Sequence, residues 1–176
     1  MNLPIKKKTL IKTDNLTIKP YAQSDKGRLK ELLKNPEITK TFMVPDFESE
    51  EQADLLIEKI IEFGRIENVN HLDYGIYYDD LLIGFINDCG IKEDEIEIGY
   101  VIDPAYKGRG FATEAAKAVI NELREMGFYR VYAGYFEENP ASRRVMEKCG
   151  MHSIDLVGEE TYKGTVHKCL YCEIRF

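Results

Sequence analysis

The residues with the clearest chemical meaning form a glycine loop between a strand-like and a helix-like segment. The loop lies within the run Ile98-Gly-Tyr-Val-Ile-Asp-Pro-Ala-Tyr-Lys-Gly-Arg-Gly-Phe-Ala-Thr-Glu-Ala-Ala. Glycines 108 and 110 let the backbone turn sharply and approach a ligand closely. The free N–H groups and positive dipole end of the following helix favour an anion. The pattern predicts a phosphate site, the alternative being a tight turn that binds nothing.

Two common phosphate motifs do not fit this loop. A P-loop requires a Lys-Ser or Lys-Thr pair after its last glycine, and none follows Gly110. A dinucleotide fingerprint requires a third glycine, where this chain has Thr113, and an early βαβ unit. The residues alone therefore leave the identity of the phosphate compound open.

Hydrophobic periodicity predicts the elements that position the loop. Apolar residues recur at helical spacing from Gly110 to Met126, and Gly127 ends that helix. The other predicted elements are, in order, an edge strand Asn15–Pro20, a helix capped by Ser24 and ended by Asn35-Pro36, a helix with a capping box at Ser49–Gln52, strands Leu72–Tyr78, Leu81–Asp88, Glu95–Ile102 and Tyr129–Phe136, a helix from Asn139 to Gly150, and strands Met151–Val157 and Lys168–Phe176. Antiparallel strands followed by strand-helix-strand predict an α/β (α+β) fold, a mixed sheet with helices on both faces.

Composition sets the broad class. The length of 176 residues and the absence of a linker predict one domain over residues 1–176. A net charge of −7 argues against nucleic acid as a partner. With no signal-peptide core between Met1 and Lys12 and no apolar run of spanning length, we expect a cytoplasmic protein without a membrane segment. The cysteines at 89, 149, 169 and 172 are interpreted as small core residues.

The glycine run resembles the acyl-CoA-binding motif of the GNAT superfamily of N-acyltransferases, Gln/Arg-x-x-Gly-x-Gly/Ala. Lys107, Gly110 and Ala112 match it, with lysine in the first place. The wider run from Glu97 is similar to the branch that acetylates ribosomal-protein N-termini. The run Glu138-Asn-Pro-Ala-Ser-Arg-Arg-Val-Met-Glu-Lys-Cys-Gly-Met resembles the family's second cofactor segment, and Asn15–Pro20 matches that branch's start. The resemblance implies a GNAT-like fold with a mostly antiparallel sheet.

Acetyl-CoA is the cosubstrate that the resemblance implies, with no metal. Its pyrophosphate would lie on the glycine loop and its pantetheine arm between the strand ending at Ile102 and the strand starting at Tyr129. The cofactor-binding positions carried over from the family are Val101, Ile102, Lys107, Gly108, Arg109, Gly110, Phe111, Ala112, Thr113, Asn139 and Ser142.

The resemblance also nominates two catalytic residues. Glu97 stands where some family members carry a glutamate that removes the proton of the incoming amine, although it could be a solvated strand residue. Ser142 stands where related enzymes use a serine as the acid toward the CoA sulfur, although a serine in a first helical turn often bonds to backbone. Tyr135 is an outside candidate for that acid, because Met146 occupies the position where other branches place a tyrosine.

The function expected from the resemblance is transfer of an acetyl group from acetyl-CoA to a primary amine by direct attack. The acceptor is a protein N-terminal α-amine or, alternatively, a small polyamine or aminoglycoside; a non-catalytic acyl-CoA-binding module is the third option. The acidic helix from Glu48 to Glu67 could favour a cationic acceptor or form only a solvated face. His167, Cys169 and Cys172 make a poor metal cluster, because residues 169 and 172 point to opposite faces of a strand. Oligomeric state stays open, with a homodimer as one option.

Overall fold

The computed structural model describes residues 6–66 and 71–176, and the described strands form one eight-stranded sheet. Its strand order is β1-β2-β3-β4-β5-β6-β8-β7. The strands are β1 Ile11–Lys12, β2 Thr17–Lys19, β3 Asp73–Tyr78, β4 Leu81–Lys92, β5 Glu95–Ile102, β6 Arg130–Phe136, β7 His152–Tyr162 and β8 Thr165–Arg175. The helices are α1 Lys26–Lys34, α2 Pro36–Thr39, α3 Glu50–Arg65, α4 Phe111–Glu125 and α5 Pro140–Lys148.

Pairing within the sheet is antiparallel except between β5 and β6, which run parallel. The β5-to-β6 connection contains α4, as a crossover between parallel strands requires. The prediction of a mixed, mostly antiparallel sheet is confirmed.

Helices cover both faces of the sheet, as predicted. On one face, α4 and α5 bury residues such as Val119, Leu123 and Met146 in the larger core cluster. On the other, Leu32 of α1 and Ile57 of α3 belong to a second buried cluster. The sheet is therefore the middle layer of three, and its side chains alternate between two apolar cores.

Several local predictions are confirmed by backbone geometry. Asp79 and Asp80 join β3 to β4 with φ of 46° and 63°, the left-handed pair of a two-residue hairpin turn. Ser49 caps α3 by accepting the N–H of Gln52, although the glutamine side chain returns to the N–H of Glu48 rather than of Ser49. α4 begins after Gly110 and ends at Glu125, with Met126 as its C-cap directly before the predicted Gly127, which has φ 97°.

Other predictions are wrong in detail. Ser24 does not cap α1, because residues 23–25 form a 3₁₀ turn in which the Asp25 carboxylate accepts the N–H of Ala22. The segment predicted as the edge strand lies one position inward, since β2 pairs with β3 on one side and with β1 on the other. β7 and β8 are longer than predicted and meet at a tight turn where Gly164 has φ 76°. Most side chains of β7 are exposed, so the alternation that marks a half-buried strand is missing there.

None of the described helices is both long and apolar enough to cross a membrane.

Candidate active site

The central feature of the site is a cleft where β5 and β6 separate. The two strands pair only from Glu95–Arg130 to Glu97–Tyr132. Beyond this point β4 still pairs with β5 as far as Ile102, and β8 with β6 as far as Phe136. The separation opens a cleft of about 670 Å³ that residues of β5, β6 and the first turns of α4 and α5 line. One edge of β5 therefore faces the cleft with backbone groups that no neighbouring strand pairs.

A charged clamp holds the closed end of the cleft. Arg130 of β6 reaches Glu95 of β5, with Nη1 2.9 Å from Oε2, and its Nε also donates to the buried Glu173 of β8. Burial opposes ionisation of Glu173, yet hydrogen bonds from Arg175 and Arg130 lower its pKa. Arg130 of β6 thus ties β5 and β8 together through two carboxylates, and the separation of β5 from β6 starts from a fixed point.

The glycine loop lies at the mouth of the cleft. Gly108 and Gly110 have φ of 79° and 78°, a conformation that costs other residues energy. The first intrahelical bond of α4 runs from Glu114 N to Gly110 O at 3.0 Å, so the N–H groups of residues 111–113 have no intrahelical partner. Gly108, Gly110 and residues 111–113 all line the cleft. These N–H groups, at the positive end of a fifteen-residue helix, are suited to an anion.

The two basic side chains of the loop point to different surroundings. Lys107 lines the cleft, is mostly exposed, and has its Nζ 4.0 Å from Glu37 Oε2. Arg109 does not line the cleft. Its guanidinium lies 5.3 Å from the ring centre of Tyr106 and 5.8 Å from that of Tyr78. In this arrangement Arg109 stabilises the aromatic cluster beside the loop.

A partly buried ion pair fixes the start of the loop. Asp103 accepts the N–H of Ala105 at 2.9 Å and forms an ion pair with Arg28 of α1. The Nε of Arg28 also donates to the carbonyl oxygen of Leu82 in β4, at 2.9 Å. The path from β5 into the loop is therefore held to α1 and β4 and does not depend on a ligand.

The first turn of α5 forms one wall of the cleft. Asn139 caps the helix, with Ser142 N 3.4 Å from its Oδ1. The Tyr100 hydroxyl of β5 lies 3.0 Å from Ser142 O and 3.1 Å from Ser142 Oγ, and all three residues line the cleft. Tyr100 was not selected from the sequence. It follows Ile96 and Ile98 at strand spacing, and this alternation places it on the face that α4 and α5 cover.

The opposite face of the sheet carries the acidic part of the cleft. Glu97 lies there, and burial, together with the nearby Glu160 of β7, raises the pKa of its carboxyl. Within the described residues no cation forms an ion pair with Glu97. The Tyr171 ring lies against Gly134, where an added Cβ would come within 2.7 Å of it. Two carboxylates and an aromatic ring therefore border this part of the cleft, of which sequence reasoning found only Glu97.

The acidic side of the cleft is bordered by a loop, residues 40–49 between α2 and α3. The β7–β8 hairpin holds this loop in place. The Tyr162 hydroxyl lies 3.3 Å from Phe42 O, to which it donates, and 3.4 Å from Val44 N, from which it accepts. Lys163 Nζ adds a bond to Thr39 Oγ1 at 3.1 Å. Phe42 lines the cleft. The hairpin therefore fixes the position of a loop that borders the acidic side.

The acidic residues of α3 do not contribute to the cleft. Lys30 of α1 pairs with Glu50 at 2.6 Å and with Asp54 at 2.9 Å. These two carboxylates thus link α3 to α1, and Glu51 is solvent-exposed. Glu67, the end of the acidic segment, lies outside the described residues. The hypothesis that this helix attracts a cationic acceptor into the cleft receives no support.

The remaining candidates occupy varied places. Cys89 is exposed and lines the cleft, so the prediction that all four cysteines are core residues is wrong for it. Its position is an irregularity in the β4–β5 pairing, which turns the side chain out. Tyr135 lines the cleft and Met146 is fully buried. His167 stacks on Phe136 with ring centres 4.2 Å apart, and no group of His, Cys, Asp or Glu in the described chain is arranged to hold a metal.

Acetyl-CoA fits this geometry. The three free N–H groups of α4 supply donors for a pyrophosphate, and the unpaired edge of β5 supplies backbone groups for the amides of a pantetheine arm. The volume lies within the range usual for small-molecule sites. Val101, Ile102, Lys107, Asn139 and Ser142 line the same cleft.

A sheet split between two parallel strands, with an anion-binding helix end at the mouth of the split, defines a CoA-dependent acetyltransferase domain. The chain belongs to the GNAT acetyltransferase domain family, whose model matches residues 15–152. Acetyl-CoA is the acyl donor of that family.

Individual relatives are more distant. The probable N-acetyltransferase YjcK of Bacillus subtilis (strain 168) is 35% identical over 94 residues, which are 50% of this chain and 52% of that relative. The chain thus spans about half the length of this relative. RimL, a ribosomal L7/L12 α-N-protein acetyltransferase solved with coenzyme A, superposes with a TM-score of 0.82 at 17% identity, over 95% of this chain and 98% of RimL. Spermidine N-acetyltransferase from Vibrio cholerae, solved with CoA and spermine, superposes with a TM-score of 0.77 at 20% identity, over 93% of this chain and 96% of that enzyme. At these identities the two structures establish the fold alone.

Proposed function

We propose that this chain transfers an acetyl group from acetyl-CoA to a primary amine by direct attack in a ternary complex, and that the acceptor is a protein N-terminal α-amine. The observation that carries the proposal is the two-sided cleft. Its mouth offers free helix N–H groups at residues 111–113, and its far side offers the carboxylate of Glu97, which forms no ion pair with any cation in the described part of the chain. Donor and acceptor can therefore meet between β5 and β6 from opposite sides.

Glu97 is suited to removing a proton from the amine. Burial and the charge of Glu160 raise the pKa of Glu97, which makes it a better proton acceptor than an exposed glutamate. An α-amine has a pKa of about 7.7 to 8.0, so most of it is protonated at neutral pH and a base accelerates the reaction. Glu97 acts on the amine directly or through one water molecule.

The remaining groups have separate tasks. A backbone N–H of Val101 or Ile102 would bond the acetyl oxygen, because the free edge of β5 runs beside that position. Ser142 would donate to the sulfur that leaves, and Asn139 would bond the pantetheine arm while capping α5. Thioester chemistry comes from acetyl-CoA itself, and these residues orient it.

A small polyamine is the second candidate acceptor. The specific observation in its favour is the second carboxylate, Glu160, near Glu97, since two negative charges suit an acceptor with more than one ammonium group. RimL acts on a ribosomal protein and the Vibrio cholerae enzyme on spermidine, so the same fold serves both classes of acceptor.

The test is thiol release from acetyl-CoA with N-terminal peptides, spermidine, aminoglycosides and free amino acids. It uses the unchanged chain, Glu97→Gln, and Glu51→Gln as the matched control on exposed α3. At pH 7 we expect Glu97→Gln to lower kcat/KM by about 100-fold. With an α-amine acceptor the loss should shrink below about ten-fold at pH 9, because the amine is then largely neutral; with a polyamine of pKa about 10.4 it should persist.

Each outcome has a distinct meaning. Turnover of peptides with the shrinking loss supports the proposed acceptor, and turnover of spermidine alone replaces it with the polyamine. Equal activity of Glu97→Gln and Glu51→Gln removes Glu97 from the mechanism. Acetyl-CoA binding without turnover of any amine would mean a non-catalytic acyl-CoA-binding module.

A further inference from the structure

The contact between Tyr100 and Ser142 contains more hydrogen-bond acceptors than protons. The phenol oxygen lies within bonding distance of two oxygens of the same serine, Ser142 O at 3.0 Å and Ser142 Oγ at 3.1 Å. Tyr100 has one proton to donate, and Ser142 Oγ has one as well. The direction in which the Ser142 hydroxyl proton points therefore depends on which of the two serine oxygens accepts the hydrogen bond from Tyr100.

Two arrangements satisfy the distances. In the first, Tyr100 donates to the carbonyl oxygen of Ser142, and the serine hydroxyl donates back to the phenol oxygen, away from the cleft. In the second, Tyr100 donates to Ser142 Oγ, and the serine proton is free to point into the cleft that both residues line. Only the second arrangement presents a donor to a bound molecule.

The switch between the two arrangements costs little. Ser142 lies in the first turn of α5, so its carbonyl also accepts the N–H of Met146 and stays bonded when the phenol leaves it. Burial raises the pKa of Tyr100, so the phenol keeps its proton and acts as a hydrogen-bond donor. In the second arrangement the hydrogen bond from Tyr100 polarises the serine hydroxyl, which strengthens the hydrogen bond that Ser142 donates into the cleft.

We propose that Tyr100 is a positioning residue that directs the hydroxyl proton of Ser142 into the cleft, toward the sulfur atom of the thioester. The inference rests on the proposed function, because it assigns Ser142 the donor role at that sulfur. Tyr100 does not touch the reacting atoms and gives up no proton. The proton that reaches the departing sulfur passes through the Ser142 hydroxyl, which takes a proton from solvent as it gives one up and so stays neutral.

The test is a double-mutant cycle of Tyr100→Phe, Ser142→Ala and both together. Tyr74→Phe is the matched control, since Tyr74 is also a β-strand tyrosine whose hydroxyl donates to a carbonyl, Lys8 O at 3.0 Å, but it does not line the cleft. We expect kcat to fall about 100-fold in Ser142→Ala and about ten-fold in Tyr100→Phe, with the double variant equal to Ser142→Ala. The Kd of acetyl-CoA should stay within about two-fold, and Tyr74→Phe should keep full kcat.

The same variants without any ligand provide a second readout. If the two hydroxyl groups are coupled, the change in the unfolding equilibrium constant of the double variant should differ from the product of the changes in the two single variants by about three-fold or more. Losses in kcat that multiply, or an unchanged kcat in Tyr100→Phe, would overturn the inference while leaving the transferase intact. A raised Kd for acetyl-CoA with unchanged kcat would also overturn it and make Tyr100 a packing residue. No thiol release by the unchanged chain would overturn the proposed function and this inference with it.

Discussion

Replacing Gly110 with alanine separates the backbone geometry of the loop from its contact with a ligand. Gly110 has φ 78°, and no atom outside its chain neighbours lies within 4 Å of where an added Cβ would be. The change therefore causes no clash in the free protein, and its cost is the left-handed conformation, about 1 to 2 kcal/mol. For a domain of this size, that free energy lowers Tm by about 2 to 8 °C.

The effect on acetyl-CoA should be larger than the effect on stability. The open space around Gly110 borders the free N–H groups of α4, so an added methyl group would occupy the volume that the pyrophosphate needs. Losing one charge-assisted hydrogen bond costs about 1.5 to 3 kcal/mol, which corresponds to a Kd raised about 10- to 150-fold. Isothermal titration calorimetry with acetyl-CoA measures this change directly.

Gly164 provides the matched control. It has φ 76° and equally open surroundings, but it lies in the β7–β8 turn and does not line the cleft. Gly164→Ala should lower Tm by a similar amount and leave the Kd of acetyl-CoA unchanged. The assignment of the loop to pyrophosphate binding is refuted if Gly110→Ala binds acetyl-CoA normally, or if Gly164→Ala weakens it to the same degree.

Two further predictions concern stability and the acceptor side. His71 lies between two carboxylates, 3.6 Å from Asp73 and 2.7 Å from Asp88, whose hydrogen bonds raise its pKa to about 9. Because the folded pKa exceeds the unfolded value of about 6.5, this stabilisation is complete below pH 6.5 and disappears as pH rises to 9. Urea unfolding should show that the free energy of unfolding falls by about 1 to 3 kcal/mol over this range, and His71→Gln should abolish that fall. If the free energy of unfolding of His71→Gln depends on pH as steeply as that of the unchanged chain, the assignment is contradicted. Tyr162→Phe should release the loop at Phe42 and raise KM for the acceptor about three- to ten-fold without altering the Kd of acetyl-CoA, whereas a change in acetyl-CoA binding alone would disprove that role.

Local signals explain most of what the sequence predicted. The helix from Gly110 and the cap at Asn139 depend on a few neighbouring residues, and both could be identified without tertiary information. The mixed sheet followed from the order of these elements. Of the positions in the glycine loop, Arg109 is the one that the structure places outside the cleft. It packs against an aromatic cluster that combines the nearby Tyr106 with Tyr78 of β3, which is distant in sequence.

Long-range neighbours explain what the sequence did not predict. Glu160 of β7 influences Glu97 of β5 although the two residues are far apart in the chain, and no local pattern encodes the strand order β5-β6-β8-β7 that relates them. Tyr162 reaches Phe42 across 120 residues of chain. Tyr100 differs from these two residues, because its alternation with Ile98 along β5 predicts the sheet face on which it lies. Its contact with Ser142 could be found only from the structure.

The width of the cleft depends on glycines that lie in strands rather than in the loop. Gly134 of β6 leaves room for the Tyr171 ring, and an added Cβ there would be 2.7 Å from that ring. Gly99 of β5 similarly leaves room for Cys89, whose Sγ would be 3.0 Å from an added Cβ. Both glycines line the cleft beyond the point where β5 and β6 stop pairing. Side chains from neighbouring strands thus cover these two positions, where β5 and β6 present only backbone to the cleft, which suits a ligand that bonds to peptide groups.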